Sequence, residues 1–160
     1  MNQILFLHGR ESGPGGTKAR WLAERYGAVT PQLETVVVAD TMPAARAAVA
    51  QHKPDLIIGS SYGGAVAVKL LLEGAYNGPV VLIAPAATKL GGDRALPQGA
   101  RVIIIHGDAD DVVPYVDSVA LAATGGTGVR LVTVAGGDHQ LHAILHNGVL
   151  AAAIAELSGD

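Results

Sequence analysis

The sequence predicts an α/β domain with a doubly wound, mostly parallel sheet of six strands and helices on both faces. Three observations lead to this prediction. Short apolar runs alternate with stretches of helical composition, which is typical of βαβ units. The apolar runs are nearly continuous, as in parallel strands that are buried on both faces. Glycine and proline mark many of the junctions between the two kinds of segment.

The predicted elements follow one another closely along the chain. The strands cover residues 3–8, 28–31, 55–60, 79–84, 101–106 and 130–135, and the helices cover residues 18–26, 43–51, 62–73, 115–123 and 141–157. We expect Gly27 to end the first helix, Pro43 to stand in the first turn of the second, and Gly148 to break or kink the last. The segment 33–41 stays ambiguous, because its three consecutive valines favour a strand while a loop or a helix start also fits.

Length and composition restrict the class of protein. The 160 residues are 49% hydrophobic and 16% charged, so we expect residues 1–160 to form one folded domain. No apolar run reaches the roughly 20 residues that span a bilayer, and the first residues lack the pattern of a signal peptide, so a cytoplasmic protein is expected. A net charge of −3 argues against nucleic acid as a partner. The absence of cysteine excludes disulfides, thiol nucleophiles and cysteine zinc sites.

Polar residues follow the predicted strands at one edge of the sheet. Ser61 follows the third strand, three aspartates follow the fifth, and His139 follows the sixth. Ligands bind at the carboxyl ends of strands in sheets of this kind. The chain order serine, aspartate, histidine therefore predicts a nucleophile, an acid and a base at a common site.

The pentapeptide Gly59-Ser60-Ser61-Tyr62-Gly63 fits the pattern G-x-S-x-G, with Ser61 at its centre. In this pattern the serine occupies a strained turn between strand and helix, which exposes its hydroxyl above the sheet. Side chains two residues before and after it would collide with the neighbouring strand and helix, so glycines are expected there. Ser60 is then a small flanking residue. The alternative interpretation is a glycine- and serine-containing turn that only connects the two elements.

The acid that would orient His139 is one of Asp108, Asp110 and Asp111, and the residues alone do not choose among them. The others would belong to a solvated acidic loop before the next helix. His139 lies in a glycine-rich loop from which it could reach across the sheet to Ser61.

The sequence offers two alternative sites, a metal site and a phosphate-binding loop. His142 and His146 could form a metal-binding face with His139, but a role on the helix surface is favoured because no carboxylate joins them. The glycine-rich segment 13–18 lies between a predicted strand and a predicted helix, as a phosphate-binding loop does. It ends in Gly-Thr-Lys, whereas such a loop requires Gly-Lys-Ser/Thr, so nucleotide binding is not favoured. His8 and His106 each end a strand and are interpreted as loop-packing histidines.

Several motifs together resemble the α/β-hydrolase superfamily. They are Leu7-His8-Gly9 after the first strand, G-x-S-x-G, Ala84-Pro85-Ala86, H-G-x-x-D-x-x-V-P from residue 106, and Gly136-Gly137-Asp138-His139. With Pro31-Gln32-Leu33, they make the chain similar to the small lidless esterases and thioesterases of the YqiA type. The resemblance implies a minimal α/β-hydrolase fold that has no cap domain and lacks the first two strands of the full superfamily sheet.

The resemblance also implies a site. Its catalytic residues would be Ser61, Asp110 (the fifth residue of H-G-x-x-D) and His139. Backbone N–H groups of Tyr62 and of Arg10 would form the oxyanion hole, with Glu11 as an alternative to Arg10. His8, Gly9, Gly59 and Gly63 would be structural.

The implied activity is hydrolysis of short-chain carboxylic esters or thioesters, without a metal or an organic cofactor. The expected partner is a small-molecule acyl ester or thioester, with no nucleic acid and no membrane. An amidase, peptidase or lactonase with the same triad, or a non-catalytic interaction protein, remains as an alternative.

Overall fold

The computed structural model describes residues 3–34 and 36–159, which contain five strands in one parallel sheet. The strands are β1 (Ile4–Leu7), β2 (Leu56–Ser60), β3 (Val80–Ile83), β4 (Val102–Gly107) and β5 (Val129–Val134), and they lie in the order β1-β2-β3-β4-β5. Every residue of β1 to β4 is buried, whereas the edge strand β5 has four half-buried and two exposed residues. The continuous apolar runs thus identify strands that are covered on both faces.

Helices cover both faces of the sheet. They are α1 (Thr17–Tyr26), α2 (Val38–His52), α3 (Tyr62–Leu72), α4 (Tyr115–Ala122) and α5 (Val149–Ser158), and a 3₁₀ turn covers His142–Leu145. Helices α2, α3 and α4 contribute to one core cluster, and α1, the 3₁₀ turn and α5 contribute to the other. No helix in the described ranges is both long enough and apolar enough to cross a bilayer.

Successive strand residues enter opposite core clusters. Leu5 and Ile57 pack with α2 and α3, while Phe6 and Ile58 pack on the other side with α1 and α5. This is the two-residue period of a strand, here with apolar groups on both sides. Each side chain that is fully buried in this way contributes roughly 1.5–3 kcal/mol.

The prediction of a sixth strand at residues 28–31 is wrong. Only Val29 pairs with the sheet, in an isolated parallel bridge to Leu5. Its N–H donates to the Ile4 carbonyl at 3.0 Å, and its own carbonyl accepts the Phe6 N–H at 2.9 Å. Pro31 has no N–H with which to extend the ladder, so the pairing stops after one bridge.

The predicted helices are present, but the second begins five residues earlier than predicted. Helix α2 begins at Val38, so Pro43 lies inside the helix rather than in its first turn. This resolves most of the ambiguous segment 33–41, although Thr35 lies outside the described residues. Gly27 ends α1 with a φ of 68°, as expected. The last predicted helix is broken as expected: the 3₁₀ turn comes first, and α5 starts after Gly148, whose φ is 84°.

The chain reverses direction across the sheet between β1 and β2. From β1 it passes outward to the bridge at Val29, and then returns through α2 to β2 on the opposite side of β1. Such a reversal opens a crevice at the carboxyl ends of the flanking strands. His8 follows β1 and Ser61 follows β2, so both lie at this crevice.

Candidate active site

Ser61 occupies a strained turn between β2 and α3. Its φ of 53° and ψ of −112° lie in a region that residues with a side chain rarely adopt. The turn is fixed by its backbone, because the Ser61 N–H donates to the Ile83 carbonyl at 2.9 Å. The Ser61 carbonyl accepts the N–H groups of Gly64, Ala65 and Ala86. The expected strained turn is therefore present, and the side chain of Ser61 is half-buried while that of Ser60 is buried.

The glycines on either side of Ser61 are required by close backbone approach. A Cβ on Gly59 would lie 2.5 Å from the carbonyl oxygen of Gly63. A Cβ on Gly63 would lie 1.9 Å from the carbonyl oxygen of Leu7 at the end of β1. Both distances are far inside van der Waals contact, which confirms the steric reason for the G-x-S-x-G spacing.

The structure brings Ser61, His139 and Asp110 into one hydrogen-bonded chain. Ser61 Oγ lies 2.9 Å from His139 Nε2, and His139 Nδ1 lies 2.8 Å from Asp110 Oδ2. The His139 side chain is 19% exposed and the Asp110 side chain is 0% exposed. Because a carboxylate only accepts, Nδ1–H of His139 donates to Asp110, which leaves Nε2 free to accept the hydroxyl proton of Ser61.

Asp110 is held as a carboxylate by several donors. Oδ1 accepts the N–H groups of Val112 at 2.8 Å and Val113 at 2.9 Å, while Oδ2 accepts from His139. Burial raises the pKa of Asp110, but hydrogen bonds from His139, Val113 and Val112 outweigh it and leave the pKa below its usual value. Asp108 instead accepts the Gly136 N–H at 2.7 Å, and Asp111 is exposed.

His106 is a member of this cluster that the sequence analysis missed. It is fully buried, and its Nε2 lies 3.1 Å from both Asp110 Oδ2 and the Val113 carbonyl. Both neighbours are acceptors, so Nε2 carries a proton and donates to them. Burial lowers the pKa of His106, which favours the neutral ring, and Nδ1 then accepts the Ser118 hydroxyl at 2.6 Å. The only sequence signal was its position four residues before Asp110 at a strand end.

His8 holds the loop after β1 through two hydrogen bonds to backbone atoms. Its Nδ1 lies 2.7 Å from the Gly9 carbonyl and its Nε2 lies 2.9 Å from the Leu33 nitrogen. The ring therefore donates from Nδ1 to Gly9 and accepts at Nε2 from Leu33. The Gly9 carbonyl belongs to the same peptide unit as the Arg10 N–H, so this bond sets the direction of that N–H.

Arg10 and Tyr62 lie together beside the serine. A Cβ on Gly9 would be 3.5 Å from the Cβ of Ser61, so the Gly9–Arg10 backbone passes close to the nucleophile position. The Arg10 guanidinium lies 5.6 Å from the centroid of the Tyr62 ring and donates to the Val36 carbonyl at 3.0 Å. The Tyr62 ring is buried, and its hydroxyl lies 2.6 Å from Thr41 Oγ1. Tyr62 is also the first residue of α3, where backbone N–H groups have no intrahelical partner.

A cavity of about 650 Å³ opens at Ser61 and His139. Its wall contains residues 9–12, Lys18, residues 60–61, 89–90, 111–113 and 138–140, and His142. Within the ranges that the structure describes, no group of three or more His, Asp or Glu side chains is arranged to hold a metal ion. His142 and His146 are both exposed, in keeping with the surface role favoured for them.

Solved structures of similar fold cover almost the whole chain. A protein described as a hydrolase of the alpha/beta superfamily from Xanthomonas campestris pv. campestris is 24% identical, with a TM-score of 0.79 over 98% of this chain and 96% of that one. Mouse alpha/beta hydrolase domain-containing protein 10 is 16% identical, with a TM-score of 0.82 over 98% of this chain and 89% of that one. Est1E from Butyrivibrio proteoclasticus is 18% identical, with a TM-score of 0.77 over 99% and 89%. The fold is thus that of the α/β-hydrolases, which confirms the resemblance.

The model of the family described as "Uncharacterised protein family (UPF0227)" matches residues 3–91, which is more than half of the chain. The chain belongs to this family. The matched residues include the loop after β1 and the turn that carries Ser61. None of the curated proteins matches the sequence.

Proposed function

We propose that the protein is a serine hydrolase that cleaves short-chain carboxylic esters or thioesters through an acyl-enzyme on Ser61. The observation that carries this proposal is the continuous chain of hydrogen bonds from Ser61 Oγ through His139 to the buried carboxylate of Asp110. A serine hydroxyl is a weak nucleophile until an adjacent base accepts its proton. The same chain supplies that base, oriented by a third group.

In the proposed reaction Ser61 Oγ attacks the acyl carbon while its proton passes to His139 Nε2. The tetrahedral intermediate collapses as the bond to the leaving group breaks, and the leaving alcohol or thiol takes the proton from Nε2. Water then attacks the acyl-enzyme and gives one proton to His139 Nε2. The second tetrahedral intermediate collapses as the bond from the acyl carbon to Ser61 Oγ breaks, and Oγ takes that proton back, which releases the carboxylic acid and restores Ser61. Asp110 holds His139 with Nδ1 protonated and stabilises the imidazolium. No metal or organic cofactor is required.

The negative oxygen of the intermediate would be bound by the backbone N–H groups of Tyr62 and Arg10. Two observations support this choice, and the first favours Arg10 over Glu11. His8 holds the Gly9 carbonyl and so directs the N–H of the same peptide unit, which is that of Arg10. The Tyr62 N–H lies at the start of α3, where the helix dipole favours negative charge. Loss of one such donor typically costs 10²- to 10³-fold in kcat.

Labelling with a fluorophosphonate tests the proposal. Ser61 Oγ should displace fluoride from phosphorus, and peptide mass spectrometry should locate the adduct on Ser61. The Ser61→Ala variant should not be labelled, whereas Ser60→Ala should be labelled at the rate of the unmodified protein. The absence of any adduct on the folded protein would contradict the proposal and favour a non-catalytic role.

We expect short acyl chains to be preferred. The connection from β3 to β4, residues 84–101, is described throughout and contains turns but no helix or strand, so it offers little cover for a long chain. In a series of 4-nitrophenyl esters, kcat/KM should be highest for acetate or butyrate and lower for decanoate. The opposite order would contradict the short-chain assignment. A butyryl ester, thioester and amide compared under the same conditions would separate the esterase from the amidase alternative.

His106 is proposed as a positioning residue for Asp110. His106→Phe keeps an aromatic ring at this position but removes the Nε2–H donor. Asp110 then loses one hydrogen bond, and its negative charge acts more strongly on His139. We expect kcat/KM to fall roughly 10- to 100-fold, the range for one hydrogen bond to a charged group, and the acidic limb of its pH profile to move to higher pH. His106→Gln, which can donate from a similar position, should restore both. An unchanged pH profile in His106→Phe would leave a packing role only.

A further inference from the structure

Lys18 differs from the other charged residues of the cavity wall. It is the second residue of α1 and is half-buried, whereas the remaining five are exposed. Those five are Arg10, Glu11, Lys89, Asp111 and Asp138. Of these six charged side chains, Lys18 is therefore the one that is partly withdrawn from solvent.

Among the described residues, the ammonium group of Lys18 makes no hydrogen bond and no close ion pair, although the charge of Asp138 acts on it. Within residues 3–34 and 36–159, no carboxylate oxygen lies within 4 Å of Lys18 Nζ, and no acceptor is hydrogen-bonded to it. Asp138 Oδ1 accepts the Leu141 N–H at 2.9 Å, and Lys89 Nζ, another cation of the cavity wall, donates to the Val112 carbonyl. A cation withdrawn from water without a partner carries a free-energy cost that a bound anion would offset.

Burial also changes the titration of Lys18. It lowers the pKa of the ammonium to about 8, with Asp138 acting in the opposite direction. Most Lys18 side chains are thus still charged at pH 7, and most are neutral at pH 9. The titratable groups that share the cavity wall with Lys18 are Arg10, Glu11, Lys89, Asp111, Asp138, His139 and His142.

We propose that the substrate carries an anionic group, a carboxylate or a phosphate, which Lys18 binds while the ester or thioester lies at Ser61. This inference rests on the proposed hydrolase function and narrows its substrate class. A charge-assisted hydrogen bond in a partly desolvated cavity is stronger than one at the surface. Lys18 would act as a specificity-determining residue and would take no part in proton transfer.

The test compares matched neutral and anionic esters. On the leaving-group side these are 4-(butyryloxy)benzamide, 4-(butyryloxy)benzoate and 4-(butyryloxy)phenyl phosphate. On the acyl side they are 4-nitrophenyl hexanoate and mono-4-nitrophenyl adipate. We expect kcat/KM at pH 7 to favour at least one anionic ester by roughly 10- to 100-fold over its neutral counterpart, the range for a hydrogen bond to a charged group. The ester that is preferred shows whether Lys18 binds a carboxylate or a phosphate. It also shows whether that anion lies on the leaving group or on the acyl chain.

Lys18→Met should reduce that preference to within about twofold and leave hydrolysis of the neutral esters unchanged. Lys18→Arg should keep it. In the unmodified protein the preference should decline as pH rises through about 8, whereas in Lys18→Arg it should persist. Equal ratios of anionic to neutral kcat/KM in the unmodified protein and Lys18→Met would overturn this inference alone. Failure to hydrolyse any of the esters would instead overturn the proposed function on which it rests.

Discussion

Asp110→Asn is expected to lower kcat for a butyrate ester by roughly 10⁴-fold while the protein remains folded. Both carboxylate oxygens of Asp110 accept N–H groups, two from the backbone of Val112 and Val113 and two from His139 and His106. An asparagine has only one oxygen. If that oxygen accepts the two backbone N–H groups, the amide nitrogen faces His139.

The His139 ring would then have to accept at Nδ1, which places its proton on Nε2. A protonated Nε2 cannot accept the hydroxyl proton of Ser61, so the nucleophile is not activated. The predicted loss therefore arises from the wrong tautomer rather than from unfolding. Steady-state kinetics would measure it, and circular dichroism would show that the fold persists.

Asp108→Asn is the matched control for this substitution. Asp108 follows the same strand, but its Oδ1 accepts the Gly136 N–H, a bond that an asparagine oxygen can keep. We expect its kcat to stay within about twofold of the unmodified protein. An Asp110→Asn variant that keeps more than a tenth of the activity, or an equal loss in Asp108→Asn, would contradict the role proposed for Asp110.

Local sequence patterns predicted the features that depend on local contacts. The strained turn at Ser61 is one, because Gly59 and Gly63 are required by atoms of that turn and of the adjacent end of β1. The break at Gly148 is another, since a φ of 84° is readily adopted by glycine. Four strands, β1 to β4, follow from apolar runs that the parallel sheet buries on both faces.

Features that depend on the three-dimensional arrangement could not be predicted from local sequence patterns. Asp108, Asp110 and Asp111 look alike in sequence, and only the path of the loop after β4 brings Asp110 to His139. The resemblance to a known family made that choice, and the residues alone did not. The bond from His106 to Asp110 was missed because a buried histidine at a strand end usually serves packing. The short run at 28–31 resembled a strand, but sheet pairing is decided by available N–H groups, and Pro31 has none.

Gly63→Ala is expected to destabilise the protein by about 3 kcal/mol or more. Two effects oppose each other at this position. Gly63 lies in α3, where helix propensity alone favours alanine over glycine by about 1 kcal/mol. The new Cβ, however, would lie 1.9 Å from the carbonyl oxygen and 2.4 Å from the carbonyl carbon of Leu7, and these backbone atoms cannot move without displacing β1. Overpacking of this kind exceeds the gain in propensity.

Thermal unfolding provides the measurement, with an expected decrease in Tm of roughly 6–12 °C for a domain of this size. Activity should fall as well, because the displaced end of β1 carries the loop of Gly9 and Arg10 beside Ser61. Gly15→Ala is the control, since a Cβ there meets no atom within 4 Å and its Tm should remain within about 2 °C. If Gly63→Ala were as stable as Gly15→Ala, the close approach of β1 to α3 would not be what requires glycine after the serine.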